Sequence, residues 1–394
     1  VYKRQRGLGD VYKRQMYDGS TKFSLIAIPM FVLAGAIMNA GGVTRRLIEF
    51  VSALIGAVRG GLAMVSIGVS LFFAEISGSA VADVAALGSI MIPEMKKRGY
   101  GAPFAAAVTS SSASLAIIIP PSIPMILYAV SANTSVEQLF VAGFIPGLMG
   151  AIGLMGVSWW FARRYNLPVE EAFNWPRLRH AAIEAGPTFL LPIIILGGIF
   201  GGFVTATEAA GLAVLAAIGV GIWYREVDFR QLHRAMLEGG MQTAVVMVLV
   251  AASVLMGGFL TRAQIPQELA AQMVAFTDSK YVILLILNVF FLIIGFFLHS
   301  AAAIILVVPI VVPLIQQVGI DPVHFGLVVT LNLAIGQQTP PVASVLITAC
   351  SIARANIWEV TRVNLPFIAV LVGVLLICTY VPAIPMFLVE LFYR

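Results

Sequence analysis

Adjacent prolines occur twice within apolar sequence, as Pro120-Pro121 and Pro340-Pro341, and the two pairs lie 220 residues apart. Four of the seven prolines in residues 23–162 have a proline counterpart at this offset, so a long unit is duplicated. Such duplications in membrane proteins are typical of secondary transporters, in which the substrate site lies between the repeats. The other matched pairs are Pro93 with Pro313, Gly99 with Gly319, and Pro146 with Pro366.

The composition indicates a membrane protein. Of the 394 residues, 60% are hydrophobic and 11% are charged, whereas soluble chains carry about 25% charged residues. Several windows exceed the roughly 18 apolar residues that a helix needs to cross a bilayer. The net charge of +5 comes from short loops, as the positive-inside rule expects, and does not indicate nucleic-acid binding. The four histidines are scattered, and the two cysteines lie in apolar segments, so no metal site or disulfide is predicted.

The first fifteen residues are not treated as part of the fold. Residues 1–5 recur unchanged as residues 11–15, joined by a short spacer that contains glycine. A verbatim repeat of this kind is typical of a translated cloning or sequencing adapter. The native sequence is expected to begin near Met16, as an internal part of a longer protein.

The positions of Lys and Arg predict the path of the first repeat, residues 16–162. A span and an interfacial arm (23–57) lead to residues 60–95, which have basic residues at both ends and small polar residues in the middle. Such a segment enters and returns on one side, as a re-entrant hairpin whose tip is buried in protein or faces water. A proline-broken helix (103–130) and a return helix (139–162) complete the repeat.

Residues 163–240 are predicted to form a cytoplasmic linker and two spans, which leaves the second repeat, residues 241–390, in the opposite orientation. The predicted fold class is therefore an all-α polytopic membrane protein with inverted-topology repeats, two re-entrant helical hairpins and two broken helices. The parts of the second repeat are a span and arm (241–280), a hairpin (281–317), a broken helix (323–350) and a final helix (366–389).

The double prolines predict the chemistry of the site. Each proline removes a backbone donor and clashes with the preceding turn, so two in succession break the helix and free carbonyls on one side and amides on the other. In hydrocarbon each freed group costs several kcal/mol unless it meets a partner. A sodium ion suits the carbonyls, and a substrate carboxylate suits the amide end, where the helix dipole is positive. Each hairpin tip is predicted to face the break of its own repeat.

The candidate site residues lie at the two hairpin tips and the two breaks. The first tip is expected to approach Ser111, Ser112 and Ser114, and the second tip, at His299 and Ser300, is expected to approach residues 332–339. The predicted substrate ligands are Ser77, Gly78, Ser79, Ser112, Asn332, Gln338 and Thr339. The predicted sodium ligands are Ser77, Ser79, Ser111, Pro120, His299, Gly336 and Thr339. The predicted helix breaks are Pro120, Pro121, Pro340 and Pro341.

Structural roles are open alternatives for several polar residues. Ser and Thr in membrane helices often hydrogen-bond the carbonyl one turn earlier, Thr339 can mark a simple kink, and His299 can serve packing or respond to pH. Glu75, Asp83 and Glu208 are functional candidates because they are intramembrane carboxylates. Their structural alternatives are an ion pair with a partner chain for Glu75, a bond to the tip backbone for Asp83, and a helix cap for Glu208.

Five motifs carry a resemblance to a known family. Residues 72–83 read Phe-Phe-Ala-Glu-Ile-Ser-Gly-Ser-Ala-Val-Ala-Asp, and residues 118–124 read Ile-Ile-Pro-Pro-Ser-Ile-Pro. The other three motifs are residues 28–35, 332–336 and 339–342. Together they resemble the large permease subunit of tripartite ATP-independent periplasmic (TRAP) transporters, the DctM-like family, over about residues 20–390 of this sequence.

The resemblance implies a sodium-driven importer of organic acids, of the C4-dicarboxylate, sialic acid or sugar-acid type, in a bacterial inner membrane. It implies an elevator mechanism, the fold of the ion-transporter superfamily, and no cofactor other than sodium as the coupling ion. The implied partners are a small TRAP membrane subunit with four helices and a periplasmic substrate-binding protein. In this family the binding protein supplies the main arginine contact to the substrate carboxylate, which is consistent with the lack of an intramembrane arginine clamp in this sequence.

Two features depart from the family pattern. Family members usually have another apolar stretch ahead of the position of Lys22, so the chain is expected to lack part of its scaffold. The second hairpin tip usually reads Leu-Asp-Pro, whereas this chain has Leu298-His299-Ser300. The loss of that carboxylate puts the expected coupling-ion site at this tip in doubt, although coordination by carbonyls of the broken helix could survive it.

Two other classes of protein compete with this interpretation. A self-contained divalent-anion/sodium symporter has the same inverted hairpins and broken helices, but its hairpin tips typically read Ser-Asn-Thr, and neither tip does so here. An intramembrane enzyme is not supported because the sequence has no His-Glu-x-x-His motif and no Ser–His pair at a usable spacing.

Overall fold

The computed structural model describes residues 16–17, 21–169, 172–226, 229–277 and 279–393. The proposed adapter, residues 1–15, lies outside the described residues. Within the described part of the chain, nine helices are long and apolar enough to cross a bilayer. Within the helices, seven side chains are not described: those of Ile76, Ser77, Phe229, Gln231, Glu238, Gln242 and Thr261.

The first repeat is built from eight helices. A short 3-10 turn, Phe23–Ile26, leads into the first of them. Helices α3 and α4 form hairpin 1, and α5, α6 and α7 form broken helix 1. The eight helices are α1 (Ala27–Ala40), α2 (Val43–Ile55), α3 (Gly61–Ser77), α4 (Ala80–Lys97), α5 (Ala102–Ala113), α6 (Leu115–Ile118), α7 (Ile123–Ala132) and α8 (Val136–Arg164).

The region that connects the two repeats is largely helical. Residues 175–200 form one continuous run in which a 3-10 turn and a π-helical turn interrupt the α-helix. The predicted polar linker therefore contains a helix, Trp175–Ala185. The α-helices here are α9 (Trp175–Ala185), α10 (Leu190–Pro192), α11 (Gly198–Phe200) and α12 (Ala206–Tyr224).

The second repeat begins on a long helix. Helices α15 and α16 form hairpin 2, and α17 and α18 form broken helix 2. The helices of this half are α13 (Phe229–Arg262), α14 (Ile265–Phe276), α15 (Lys280–Phe297), α16 (Ser300–Gln317), α17 (Pro322–Gly336), α18 (Ser344–Ala353), α19 (Ile357–Tyr380) and α20 (Ala383–Tyr393).

The last predicted helix, 366–389, is not continuous. Helix α19 starts earlier, at Ile357, and ends at Tyr380, where Val381 leaves helical geometry. Pro382 follows, and α20 then begins at Ala383. Because the residue before a proline is pushed out of the α region, Pro382 explains why an apolar run long enough for one helix is divided in two.

The helix boundaries repeat at the offset that the prolines define. Helix α3 ends at Ser77 and α15 ends at Phe297, while α4 begins at Ala80 and α16 begins at Ser300. Both Pro-Pro peptide bonds are cis. The prediction of an all-α polytopic fold with two hairpins and two broken helices is confirmed.

Hairpin 1 packs its tip directly on the break of its own repeat. Gly78 has a φ of +59°, a left-handed conformation that favours glycine. A Cβ atom at this position would lie 2.8 Å from the carbonyl oxygen of Pro121. The carbonyl of Gly78 accepts a hydrogen bond from the amide of Ile123 at 3.4 Å. The tip and the break therefore meet backbone to backbone, as predicted.

Hairpin 2 meets break 2 in the same way. The amide of Val342 donates to the carbonyl of Phe296 at 3.2 Å. A Cβ atom at Gly336 would lie 2.6 Å from the backbone of Gly295 on α15. Small residues of this kind let helix backbones approach closely inside a membrane. Across the repeats, the Tyr128 hydroxyl of α7 donates to the carbonyl of Pro322 at 2.8 Å.

Helix α2, the arm of the first repeat, is tied to the loop between α12 and α13. The Arg46 guanidinium donates to the Glu226 carboxylate at 2.7 Å and lies 3.7 Å from the centre of the Tyr224 ring. Arg45 lies 3.4 Å from the same carboxylate. The hydrogen bond from Arg46 holds the pKa of Glu226 below its ordinary value. An ionised Glu226 therefore anchors the arm.

Glu226→Gln is expected to weaken this anchor by less than about 1 kcal/mol, because the carboxylate is a third exposed and solvent screens the pair. Since the folded state lowers the pKa of Glu226, the stabilisation is fully present above the unfolded pKa, about 4.3, and is lost as the pH falls through the folded pKa. Melting temperatures of the purified wild type and variant should therefore differ at neutral pH and converge in acid. Glu49→Gln, at an exposed side chain on the same helix without an ion pair among the described residues, is the control and should melt at the temperature of the wild type at neutral pH.

Candidate functional site

A cavity of about 600 Å³ lies where the two hairpin tips and the two breaks converge. Hairpin 1 contributes residues 78–82, and hairpin 2 contributes residues 299–301. The remaining wall comes from Val32 of α1 and from the side chains that α13 presents. Elements of both repeats therefore surround one space. The α13 lining residues are Met241, Val245 and Val246, and those near the two breaks are Ile117, Ile123, Pro124, Gln337 and Ser344.

Four helices begin at the wall of this cavity. Their first residues are Ala80, Ile123, Ser300 and Ser344, and all four line it. The first amides of a helix have no partner within the helix, and the aligned peptide dipoles make this end positive. Each N-terminus stabilises a nearby anion by about 0.3–1 kcal/mol at an exposed site. The cavity is therefore suited to an anion, even though the described residues that line it include no Lys or Arg.

Helix C-termini also reach the cavity. Gly78, which lines it, follows the last residue of α3, and Gln337 follows the last residue of α17. Carbonyls at such ends lack partners within the helix and can bind a cation. The described residues contain no group of three or more His, Cys, Asp and Glu side chains that could hold a metal. A cation in this cavity would therefore meet carbonyl and hydroxyl oxygens, the hard ligands that suit an alkali ion.

Two nitrogen-bearing side chains line the cavity on the side of hairpin 2. The Nδ1 atom of His299 accepts a hydrogen bond from the amide of Ala301 at 3.4 Å, and this bond caps the N-terminus of α16. Gln337 is 2% exposed, and its Oε1 accepts from the Ser344 hydroxyl at 3.4 Å. The Nε2 atom of Gln337 is buried and has no hydrogen-bond partner.

The serines of broken helix 1 do not face the hairpin tip, in contrast to the prediction. The Ser112 hydroxyl is hydrogen-bonded to Ser70 on α3 at 2.9 Å, and the Ser111 hydroxyl donates to Oδ1 of Asn364 on α19 at 2.5 Å. Ser114 accepts from Nε2 of Gln338 at 2.5 Å. None of these three serines lines the cavity. They join broken helix 1 to its neighbours instead.

A buried polar network crosses between the repeats. From Asn364, Nδ2 donates to Oε1 of Gln338 at 3.4 Å, so the chain runs from Ser111 through Asn364 and Gln338 to Ser114. All four side chains are 0% exposed. Hydrogen bonds between membrane helices contribute about 0.6 kcal/mol each on average. The network therefore joins broken helix 1 to the break of broken helix 2.

Asn332 of broken helix 2 occupies the position that corresponds to Ser112. Its Nδ2 donates to Oδ1 of Asn288 on α15 at 2.7 Å, and Asn288 in turn donates to Thr379 at 3.2 Å. In both repeats, this position therefore binds the first helix of its own hairpin. Asn332 does not line the cavity.

The other predicted ligands divide into those at the cavity and those beside it. Gly78 and Ser79 line it, and so does His299. Thr339 donates its hydroxyl to the carbonyl of Ile335 one turn earlier. The side chain of Ser77 is not described. Gly336 contacts Gly295. The other predicted positions are the break residues Pro120, Pro121, Pro340 and Pro341.

The intramembrane carboxylates have different environments. Glu208 is the cap residue that one sequence alternative predicted, because its carboxylate accepts from the amide of Thr205 at 2.9 Å in a capping box. Glu75 is 7% exposed, and its buried Oε2 has no hydrogen-bond partner. Asp83 is 0% exposed on α4. None of the three lines the cavity.

Two residues of the site region were missed from the sequence, namely Ser344, which lines the cavity, and Asn364, which joins the polar network. Gln337 was expected near the second hairpin tip but was not among the predicted ligands, and it lines the cavity beside His299. Asn364 could have been singled out from the sequence, because burying a lone amide side chain in an apolar span costs free energy unless the amide has a hydrogen-bond partner. No local feature of the sequence separates Gln337 from Gln338, since only the path of the turn after α17 decides which one meets the cavity.

Comparison with known proteins gives a consistent result. Residues 7–384 match the family described as tripartite ATP-independent periplasmic transporter, DctM component. The chain is 42% identical to the isethionate TRAP transporter permease protein DctMQ of Oleidesulfovibrio alaskensis, over 93% of this chain and 58% of that protein. It is 38% identical to the C4-dicarboxylate TRAP transporter large permease protein DctM of Pseudomonas aeruginosa, over 94% of this chain and 87% of that protein.

A solved structure shares the fold. The Alcanivorax borkumensis YdaH transporter, whose crystal structure is described as having an unusual topology, superposes with a TM-score of 0.68. The match covers 95% of this chain and 88% of that one, at 15% sequence identity, so it bears on the fold alone. The family match over nearly the whole chain confirms the resemblance seen in the motifs. The chain is a multi-pass membrane protein and belongs to the DctM family, the large permease component of the TRAP transporters.

Proposed function

We propose that this chain is the membrane-transport subunit of a sodium-driven importer of organic acids, working by an elevator mechanism. The observation that carries the proposal is the convergence of four helix N-termini on one cavity between the two hairpin tips. Such ends bind carboxylates and other oxyanions through backbone amides. The relatives named for isethionate and for C4-dicarboxylates support small organic anions as the substrate class.

Sodium coupling is supported by the carbonyl ends beside the same cavity. In repeat 1 we propose a sodium site near Ser77, Ser79 and Pro120, and in repeat 2 a site near Gly336 and Thr339. Backbone and hydroxyl oxygens would coordinate the ion at both sites, as at other broken membrane helices. Ser111, although predicted as a ligand, donates its proton to Asn364, so only its lone pairs could take part.

The elevator mechanism is supported by which helices form the cavity wall. Hairpins and breaks supply most of the wall, while α1 and α13 supply one side. If the hairpins and broken helices move as one body past α1 and α13, the cavity moves with them and opens to the other face of the membrane. The family name describes a tripartite, periplasmic system. We therefore propose a small membrane subunit and a periplasmic binding protein as partners, in a bacterial inner membrane.

Reconstitution with both partners tests this function. The complex in proteoliposomes is expected to take up isethionate or succinate only with an inward sodium gradient and only when the binding protein is present. Thr339→Ala should raise the sodium concentration for half-maximal uptake several-fold, because it removes one oxygen ligand while the backbone of the break is kept. The measurements are initial uptake rates against sodium concentration, with potassium replacing sodium as the control.

Two outcomes would contradict the proposal. Equal uptake with potassium in place of sodium would exclude sodium coupling. Uptake that proceeds equally well without the binding protein would exclude a tripartite mechanism and favour a self-contained symporter. An unchanged sodium dependence in Thr339→Ala would remove Thr339 from the ion site without affecting the transport assignment.

A further inference from the structure

The cavity is chemically unequal on its two sides. The side formed by repeat 2 presents two nitrogen-bearing side chains, His299 and Gln337. The corresponding positions of repeat 1, 220 residues earlier, are Ser79 and Ile117. The rest of the repeat 1 wall is largely apolar, with Ile117, Ile123 and Val81 among its residues. A substrate with one polar and one apolar end would therefore have a preferred orientation.

We propose that His299 and Gln337 form a two-donor clamp that binds one anionic group of the substrate, a carboxylate or a sulfonate, with neutral N–H groups in place of an arginine. The clamp rests on the proposed function and assigns the anionic end of the substrate to the side of hairpin 2. The apolar body of the substrate then lies against hairpin 1 and break 1. His299 is thereby a substrate ligand and not a sodium ligand.

The protonation of His299 follows from its role as a helix cap. Its Nδ1 accepts the amide of Ala301, so that nitrogen carries a lone pair and no proton. A neutral imidazole then carries its proton on Nε2, which is a donor. The positive end of α16 disfavours the imidazolium form. A nitrogen that donates a proton repels a sodium ion, whereas it suits an anion.

Gln337 gives an independent indication of a ligand. Its side chain is almost fully buried, yet it borders the cavity. Its Oε1 accepts from the Ser344 hydroxyl, and its Nε2 is a buried donor without a hydrogen-bond partner. A buried donor without a partner carries a desolvation cost, because it has given up its hydrogen bonds to water. An anionic group in the cavity would satisfy this donor and remove that cost.

Matched variants separate the clamp from the helix cap. His299→Asn keeps an oxygen that can cap α16, because Asn is a favoured cap residue, but it is too short to replace the Nε2 donor. Gln337→Met keeps the length and volume of the side chain and removes the donor. Gln317→Met, at the exposed end of α16, is the same chemical change away from the cavity.

Each clamp variant is expected to raise the KM for succinate or isethionate about tenfold or more, because it removes a hydrogen bond to a charged group, which is stronger than one between neutral groups. Half-saturation by sodium should be unchanged in both variants, and Gln317→Met should behave as the wild type does. An unchanged KM in both clamp variants would overturn the proposal. The proposal would also be overturned if His299→Asn changed the sodium concentration for half-maximal uptake and left the KM for the organic anion unchanged. That result would assign His299 to the ion site.

A binding measurement tests the clamp even if the reconstituted protein does not transport. The purified permease is heated in sodium buffer with succinate, with methanesulfonate, or with the uncharged succinamide. We expect the anions, and not the amide, to raise the melting temperature of the wild type and of Gln317→Met, since ligands stabilise the state that binds them. The rise at the same ligand concentration should be smaller in His299→Asn and in Gln337→Met. No rise in the wild type, or an equal rise in all variants, would exclude the clamp.

Discussion

Gly336→Ala is expected to reduce sodium-driven uptake about tenfold or more and to destabilise the folded protein. A Cβ atom at this position would lie 2.6 Å from the backbone carbon atoms of Gly295, closer than the 3.0 Å limit that real Cβ atoms respect. Since both contacting groups are backbone, no side chain can move aside, and α15 must separate from α17. Overpacking of this kind costs about 1–3 kcal/mol.

The loss of uptake follows from where the separation occurs. Hairpin 2 is held on its break by the bond from the Val342 amide to the Phe296 carbonyl, one residue after Gly295. A displacement of α15 carries this tip away from the break and disturbs the cavity between them. Misplacement of a binding group by about 1 Å can cost on the order of a hundredfold in rate.

Gly373→Ala is the matched control for this variant. A Cβ atom at Gly373 of α19 would have no atom within 4 Å. Alanine is favoured over glycine in a helix by about 1 kcal/mol, so this variant should be as stable as the wild type or slightly more stable. Melting temperatures in detergent and uptake rates in proteoliposomes check both variants. A Gly336→Ala protein with the stability and uptake of the wild type would show that the helices are not in close contact.

The double variant Pro121→Ala with Pro341→Ala is expected to abolish sodium-dependent uptake while insertion into the membrane is retained. Alanine restores one of the two missing backbone donors at each break and removes one of the two ring clashes, so each double-proline break becomes a single-proline kink. The helix ends that reach the cavity would then move, together with the carbonyls proposed to hold sodium. Insertion should persist because it depends on the length and apolarity of the segments, which the substitutions preserve.

Pro103→Ala with Pro322→Ala is the matched control, in the first turns of the same two broken helices. A first-turn amide has no acceptor within the helix, so proline and alanine are both tolerated there. This control should insert and transport as the wild type does. The measurements are membrane fractionation and uptake against sodium concentration. Undiminished uptake by the Pro121→Ala/Pro341→Ala protein would remove the breaks from the proposed site.

Much of the fold could be predicted because its signals are local. Paired prolines break a helix wherever they occur, and the small residues around Gly78 permit a sharp return of the chain. The offset of 220 residues between the proline pairs reappears in the ends of α3 and α15. The error at residues 366–389 came from length alone, because an apolar run was assigned to one helix although Pro382 lay within it.

The partners of the polar side chains could not be predicted in the same way. Adjacent residues meet different neighbours, because successive side chains point about 100° apart in a helix and also diverge in the turn after α17. Gln337 lines the cavity, whereas Gln338 lies in the network with Ser114 and Asn364. The three serines before break 1 divide between a hairpin helix, α19 and Gln338 for the same reason.

The sequence by itself determined the membrane class, the duplication and the positions of both hairpins and both breaks, because hydrophobicity, proline and glycine act on the chain where they stand. Only the tertiary structure decided which polar groups face the cavity and which face one another. That choice depends on how each helix is rotated and how closely its backbone approaches the next. Contacts such as Gly336 with Gly295 and Ser111 with Asn364, between residues far apart in the chain, fix both quantities.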